Sequence, residues 1–248
     1  MRVRVERADH VGPDGWSYTP PDAEYGYGEG TARLILAGDT ITVRLRPDVD
    51  ESIARLLVLG PGIAGILSRT LPVVHGTTLR TPVGDVLVVG PSGMGKSTLA
   101  ATWVARGASL VADDISALDG HCVRPGVPFL KLWEDTARAF GHDPASLDRI
   151  HPDHAKYRVR VPFAEGPRPL ARVLLIERSE RFERVSGSEA LLHLLANHRL
   201  PEILTPEGNA RWLDAMSGLV RRVPVFRVGL PGPLDALQAV VARVESVS

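Results

Sequence analysis

The sequence predicts an α/β fold with one main core, on three observations. From Val73 onward, strand-like and helix-like segments alternate along the chain. A glycine-rich loop, GPSGMGKST at Gly90 to Thr98, lies between an apolar strand pattern and a helix pattern. The length of 248 residues suffices for one sizeable domain with a small appended region and is too short for two full domains.

In chain order, Arg2 to Arg7 alternates charge with valine and predicts a strand, and the Gly-, Pro-, Asp- and Tyr-rich stretch from Gly12 to Gly30 predicts an irregular loop. Ala32 to Ala37 and Thr40 to Leu45, separated by Gly38-Asp39, predict a hairpin that joins the first strand in a small sheet. Asp48 or Asp50 can cap a helix through Ile53, Leu56 and Leu57; after the Gly60-Pro61-Gly62 break a second short helix carries Ile63, Ile66 and Leu67. Residues 1–71 are therefore expected to form a small α+β region, either part of the core or a recognition element, ahead of the principal domain over 72–248.

The run VVHGTTLRTPVGDVLVVG from Val73 predicts two strands joined by a turn at Pro82 to Gly84, the second leading directly into the glycine-rich loop. A helix from Lys96 to Arg106 stops at Gly107, a strand follows through Leu110 to Ala112, and a strand-turn-strand surrounds Asp119-Gly120. Farther on, Tyr157 to Pro162, Arg172 to Ile176 and Val223 to Val228 predict strands. Ser186 with Glu189 makes a capping box for a helix through Leu191 to Leu195. Two more helices are expected, over Asn209 to Val220 and through Leu234, Leu237, Val241 and Val244.

Composition narrows the partners. Lys plus Arg and Asp plus Glu both number 29, so no net field draws the chain to nucleic acid or an anionic membrane. Aromatic residues, at 5%, are too sparse for a base-stacking platform. The single cysteine, Cys122, has no second thiol to pair with and reads as a small strand or core residue. The amino terminus lacks the apolar stretch of a signal peptide and no run approaches a membrane span, so a cytoplasmic protein is expected.

The loop satisfies G-x-x-x-x-G-K-[ST], a pattern that average residue usage yields in about one chain of this length in a hundred. Its strand-loop-helix context makes it far more specific, because backbone amides and the helix amino terminus then converge on a phosphate. Gly90, Pro91, Ser92, Gly93, Met94, Gly95, Lys96, Ser97 and Thr98 are the expected nucleotide-binding residues. Lys96 suits the β and γ phosphates, Ser97 suits Mg²⁺, and Thr98 lies near the α phosphate. Asp113 and Asp114 end the next strand, which a right-handed β-α-β unit brings beside the loop. Two carboxylates there suit holding Mg²⁺ and accepting a proton from an attacking hydroxyl, with different roles because adjacent strand residues point to opposite faces. A hairpin centred near Val83 sets His75 opposite a residue near 91, again beside the loop. Lys156, in a segment with Arg158 and Arg160, could meet transferred phosphate; Asp135 reads equally well as helix surface.

The series His75-Gly76, GPSGMGKST and RGASLVADD at Arg106 to Asp114 resembles the catalytic domain of the HPr kinase/phosphorylase family, most strongly over Val73 to Leu118. The resemblance implies a phosphate-loop kinase core with a mixed sheet, related to phosphoenolpyruvate carboxykinase, and implies self-association. It implies ATP and Mg²⁺ as cofactors, Asp113 as general base, Asp114 as a metal or water ligand, and a protein serine as acceptor. The chain departs from the regulatory enzymes where they carry E-x-R-G-[IL]-G and it reads VPFLKLWEDTARAFG. That departure puts phosphorolysis and HPr itself in doubt. KLWEDTARAFG and His154-Ala155-Lys156-Tyr157 look more like the HPr-kinase-like enzymes of lasso-peptide and other peptide biosynthesis clusters, whose acceptor is a precursor-peptide hydroxyl. The expected activity is ATP-dependent phosphorylation of a serine or threonine hydroxyl on a peptide or protein. A small-molecule kinase and a non-catalytic ATP-dependent switch are the alternatives.

Overall fold

A computed structural model describes residues 1–19, 22–199, 205–232 and 234–247. β1 (Arg2–Arg7) lies fully exposed at the edge of a five-stranded sheet. It pairs in parallel with β5 (Thr40–Leu45), which in turn pairs antiparallel with β4 (Ala32–Ala37). The expected irregular loop over 12–30 contains two more strands of this sheet, β2 (Gly15–Thr19) and β3 (Asp22–Tyr27). Trp16, Tyr18, Tyr25 and Tyr27 pack against the core of this sheet, and Trp16 stacks on Tyr25 with ring centroids 4.8 Å apart. Alternating aromatics thus outweigh the turn-forming glycines around them.

Helix α1 (Glu51–Leu57) starts where the Asp50 carboxylate accepts the Ser52 N–H, and α2 (Ile63–Ser68) follows after five residues of wide π-type helix. Gly60, at φ −108° and ψ −106°, leaves helical geometry and kinks the chain between the two helices, as the Gly60-Pro61-Gly62 break predicts. Counted through that kink, Glu51–Ser68 is an 18-residue helix of mean hydropathy 1.3, long and apolar enough by composition to cross a membrane, contrary to the expectation that no run approaches that length. Much of it is covered within the protein: Ile53, Ala54 and Leu57 pack on the first sheet, and Ala64 packs with Val73, Ile115 and Ala117.

The main sheet explains why so many apolar residues follow one another around the glycine-rich loop. After β6 (Val73–Val74) come β7 (Gly76–Thr81) and β8 (Gly84–Val89), an antiparallel pair in the register Gly76 opposite Val89. Helix α3 (Lys96–Ala105) leads to β9 (Ser109–Ala112), which pairs with β7. β10 (Ser116–Asp119) joins β6 and β11 (Cys122–Val123) in a side sheet, and Cys122 is a half-buried free thiol. A second side sheet holds β12 (Phe129–Trp133), followed by α4 (Glu134–Ala139), then β13 (Asp148–His151) and β14 (His154–Arg160). The chain ends with β15 (Leu170–Glu177), β16 (Phe182–Arg184), α5 (Gly187–Ala196), α6 (Pro206–Arg222), β17 (Val225–Gly229) and α7 (Leu237–Ser246). The six-stranded order is β16-β17-β15-β8-β7-β9, with β8, β15 and β17 parallel and β7 and β16 antiparallel to their neighbours. The fold is therefore mixed α/β.

Both faces of this sheet are covered, so β8 is apolar at every position from Val86 to Val89 rather than at alternate ones. Val86 and Val88 face one side with Leu99 and Trp103 of α3 and Val241 and Val244 of α7. Leu87 and Val89 face the other with Ala190 and Leu194 of α5 and Trp212, Met216 and Leu219 of α6. Each fully buried Val, Leu or Met among them contributes about 1.5–3 kcal/mol. One charge lies within this layer: Asp85 is wholly inaccessible and receives a two-pronged contact from Arg80, Nε to Oδ1 at 2.9 Å and Nη2 to Oδ2 at 3.0 Å. Arg80 also donates to the carbonyls of Glu165 and Gly166, fastening the approach to β15. Arg80→Ala should destabilise the fold by about 3–5 kcal/mol, because it leaves a buried carboxylate unpaired. Urea denaturation followed by tryptophan fluorescence checks this; a loss within error of zero would contradict it.

Candidate active site

The loop strand β8 delivers Gly90 against the neighbouring strand so closely that a Cβ there would meet Ile176 Cγ1 at 2.7 Å and its carbonyl oxygen at 2.9 Å. Gly95 sits at φ +102° as the residue before α3, a left-handed conformation that costs glycine little. No side chain caps α3, so the first N–H groups of the helix have no intrahelical partners and remain free for an anion. The Lys96 ammonium folds back on the loop and donates to the carbonyls of Gly90 at 2.6 Å and Pro91 at 3.0 Å. Burial lowers its pKa, against the opposing pull of Asp114 and Asp113.

The loop faces a cleft of about 120 Å³ lined by Ser92, Gly93, Gly95, Lys96, Ser97 and Thr98. His75, Asp113, Asp114, Lys131, Trp133, Thr136 and Lys156 line the same cleft. The five side chains singled out for chemistry from the sequence, His75, Lys96, Asp113, Asp114 and Lys156, thus meet at one place. Gly90 and Pro91 contribute carbonyls to Lys96 instead of lining the cleft. Met94 faces a second, larger cleft of about 710 Å³, with Asp135, Arg178, Leu230, Leu234 and Leu237. The two clefts share Gly93, Gly95, Thr98 and Thr136.

The observed register puts Gly76 opposite Val89 around a two-residue turn at Pro82-Val83, which sets His75 beside the start of the loop as expected. Two details of placement differ from the sequence expectation. β9 is not the direct neighbour of β8; β7 lies between them, and β8 and β9 remain parallel across it. The aspartates do not alternate faces. β9 ends at Ala112, and Asp114 takes a left-handed conformation at φ +70°, which turns the chain so that both carboxylates line the cleft. Aspartate tolerates that conformation better than most residues.

Asp113 is 7% exposed; Oδ1 accepts the Thr77 hydroxyl at 2.7 Å and Oδ2 accepts the Lys131 N–H at 3.0 Å. Burial pushes its pKa up; Lys131 opposes this, while the charge of Asp114 adds to it. Asp114 has the opposite balance. Burial raises its pKa, but Lys131 foremost, then the His75 hydrogen bond and Arg199, outweigh burial and hold it well below the usual carboxylate range. Its contacts are Lys131 Nζ at 2.8 Å, His75 Nδ1 at 3.0 Å and Arg199 Nη2 at 3.9 Å. Lys156 lies within β14, not before it, opposite Trp133. Its ammonium stands 5.5 Å from the centre of that ring, and burial lowers its pKa against Asp113 and Asp114.

Thr77, Lys131 and Arg199 belong to the site and were not legible from the sequence. Arg199 arrives because the chain after α5 pairs with β6: His75 N–H donates to the Asn197 carbonyl and Arg199 N–H to that of Val73. Alternation over FLKLW, with Leu130 and Leu132 buried, is the signal that could have placed Lys131 on a strand.

No protein-family model matches the sequence, and no curated protein matches it. Among solved structures, the Hpr(Ser) kinase/phosphatase from Coxiella burnetii is similar over 70% of this chain and 90% of that chain, at 14% sequence identity and a TM-score of 0.36. So distant a likeness transfers no residue roles.

The cleft offers groups suited to a nucleoside triphosphate: uncapped helix amides, the Lys96 ammonium, and a second cleft that shares lining residues with the first and could take a nucleoside. For Mg²⁺ the fit is uneven. The Ser97 hydroxyl is a suitable hard donor, whereas both Asp114 oxygens are already engaged by basic groups. Among the described residues no group of three or more His, Cys, Asp or Glu side chains could hold a metal, so magnesium would depend on the phosphates for most of its ligands.

Proposed function

We propose that the protein is a kinase that transfers the γ-phosphoryl group of ATP to a serine or threonine hydroxyl of a peptide or protein. One observation carries this reading: the loop lysine and the amino end of α3 share one cleft with the nearly buried carboxylate of Asp113. Lys96 and the loop amides draw charge from the phosphates, and Mg²⁺ arriving with the nucleotide would neutralise more of it. Asp113 orients the acceptor hydroxyl and takes its proton as the oxygen bonds to the γ-phosphorus; the bond from that phosphorus to the bridging oxygen breaks and ADP leaves. Its burial-raised pKa improves it as a base, and Lys131 keeps the shift in check. Lys156 faces the same cleft from its rim.

A peptide acceptor is favoured by the rim itself. Trp133 is 52% exposed at the cleft with Lys156 over its ring, a large surface suited to an acceptor side chain. The resemblance of KLWEDTARAFG to kinases of peptide biosynthesis extends the proposal to a precursor peptide of a ribosomally made natural product, phosphorylated in the cytoplasm. Incubation with γ-labelled ATP, Mg²⁺ and separate panels of serine-bearing peptides, proteins and small polyols tests this. Label is expected on a peptide or protein panel. Label on a polyol alone moves the acceptor class, and tight ATP binding with no labelled acceptor overturns the kinase reading in favour of a switch.

A further inference from the structure

The sequence assigns Lys131 no role, yet this residue touches both members of the aspartate pair. Its backbone N–H donates to Asp113 Oδ2 at 3.0 Å, and its ammonium lies 2.8 Å from Asp114 Oδ2 with the side chain only 15% exposed. The strand that carries it is held firmly, because Leu130 and Leu132 on either side are buried in the main core and Lys131 is paired in register with Arg158. Other basic groups around the pair come from separate elements: His75 before β7, Lys96 on α3, Lys156 on β14 and Arg199 after α5. Of these, His75 and Arg199 also reach the Asp114 carboxylate, at 3.0 and 3.9 Å.

We infer that Lys131 is the positioning residue of the aspartate pair, aiming Asp113 through its N–H and neutralising Asp114 through its ammonium, so that Asp114 serves as an anchor for Lys131 and His75 rather than as the main magnesium ligand. The inference rests on the kinase reading for its catalytic consequence and on geometry alone for its structural one. Two adjacent carboxylates in a shielded cleft repel each other, and without Lys131 the Asp114 carboxylate would turn toward its remaining basic neighbours, His75 and Arg199, and pull the left-handed turn at 114 with it. Asp113, one residue away, would lose its aim. A misplacement of about 1 Å at a reacting group costs on the order of 100-fold in rate.

Two measurements test this separately. In transfer assays Lys131→Met should lower kcat about 10- to 100-fold with KM for ATP nearly unchanged, and Lys131→Arg should restore most of the loss. Unchanged kcat in Lys131→Met, or a loss that appears only as raised KM for ATP, overturns the positioning role. A thermal-melting cycle of Lys131→Met, Asp114→Asn and the double variant needs no activity. The double variant should melt well above the temperature expected if the two losses added, and strict additivity overturns the pairing even if the protein proves to be no kinase. Absence of transfer by the unaltered protein, with coupling present in the melting cycle, would instead count against the kinase reading alone.

Discussion

Asp113→Asn protein is expected to transfer phosphate about 10³–10⁴-fold more slowly than the unaltered protein while binding ATP with similar affinity. The rate loss follows from replacing a carboxylate that can take a proton with an amide that cannot. The retained binding follows from geometry: Asp113 bonds Thr77 and Lys131 rather than the glycine-rich loop. The fold should also tolerate the change. An asparagine oxygen can still accept the Lys131 N–H, and its amide can donate to a Thr77 hydroxyl that rotates to accept. Single-turnover transfer of labelled phosphate, paired with calorimetric ATP binding, separates the two quantities. Normal transfer by the variant would remove Asp113 as the base; a parallel loss of ATP affinity would assign it to nucleotide binding.

Lys96→Ala is expected to take transfer below detection, a loss of at least about 10³-fold, and to weaken ATP binding as well. Two losses combine here. The ammonium that would meet the β and γ phosphates is gone, and so is the tether from Lys96 to the carbonyls of Gly90 and Pro91 that holds the loop in shape. Arginine should not substitute. Lys96 is only 8% exposed, and a planar guanidinium is too broad to swing between two loop carbonyls and a phosphate in that space. Transfer and calorimetric titration with Lys96→Ala and Lys96→Arg check this. ATP affinity unchanged in Lys96→Ala would mean that the nucleotide does not lie against this lysine.

Much of the surrounding architecture could be read locally. β1, β4 and β5 have the expected bounds, α3 starts at Lys96, and α5 is capped by Ser186 on the Glu189 N–H. Each of these depends on a short-range signal: alternation, a capping side chain or a glycine stop. Where the expectation failed, the competing signal was also local. Glycine, proline and aspartate over 12–30 spoke for a loop, while the paired aromatics that decide for strands act across the sheet. Gly60-Pro61-Gly62 spoke for a break, and there the local signal held: Gly60 leaves helical geometry and separates α1 from α2.

The sequence by itself determined a strand-loop-helix able to meet phosphate, a carboxylate pair one strand later and a histidine one strand earlier, because all three lie within a single continuous run whose turns are encoded nearby. Tertiary structure alone decided how those groups are tuned. Thr77 stands 36 residues from Asp113, Lys131 stands 18 and 17 residues from Asp113 and Asp114, and Arg199 stands 85 residues from Asp114. No periodicity links such distances. Only the packing of β7, β12 and the segment after α5 around the end of β9 brings them together, and that packing is what raises the pKa of Asp113 while lowering that of Asp114. Two identical neighbouring side chains thus receive opposite electrostatic environments from groups that the chain order keeps apart.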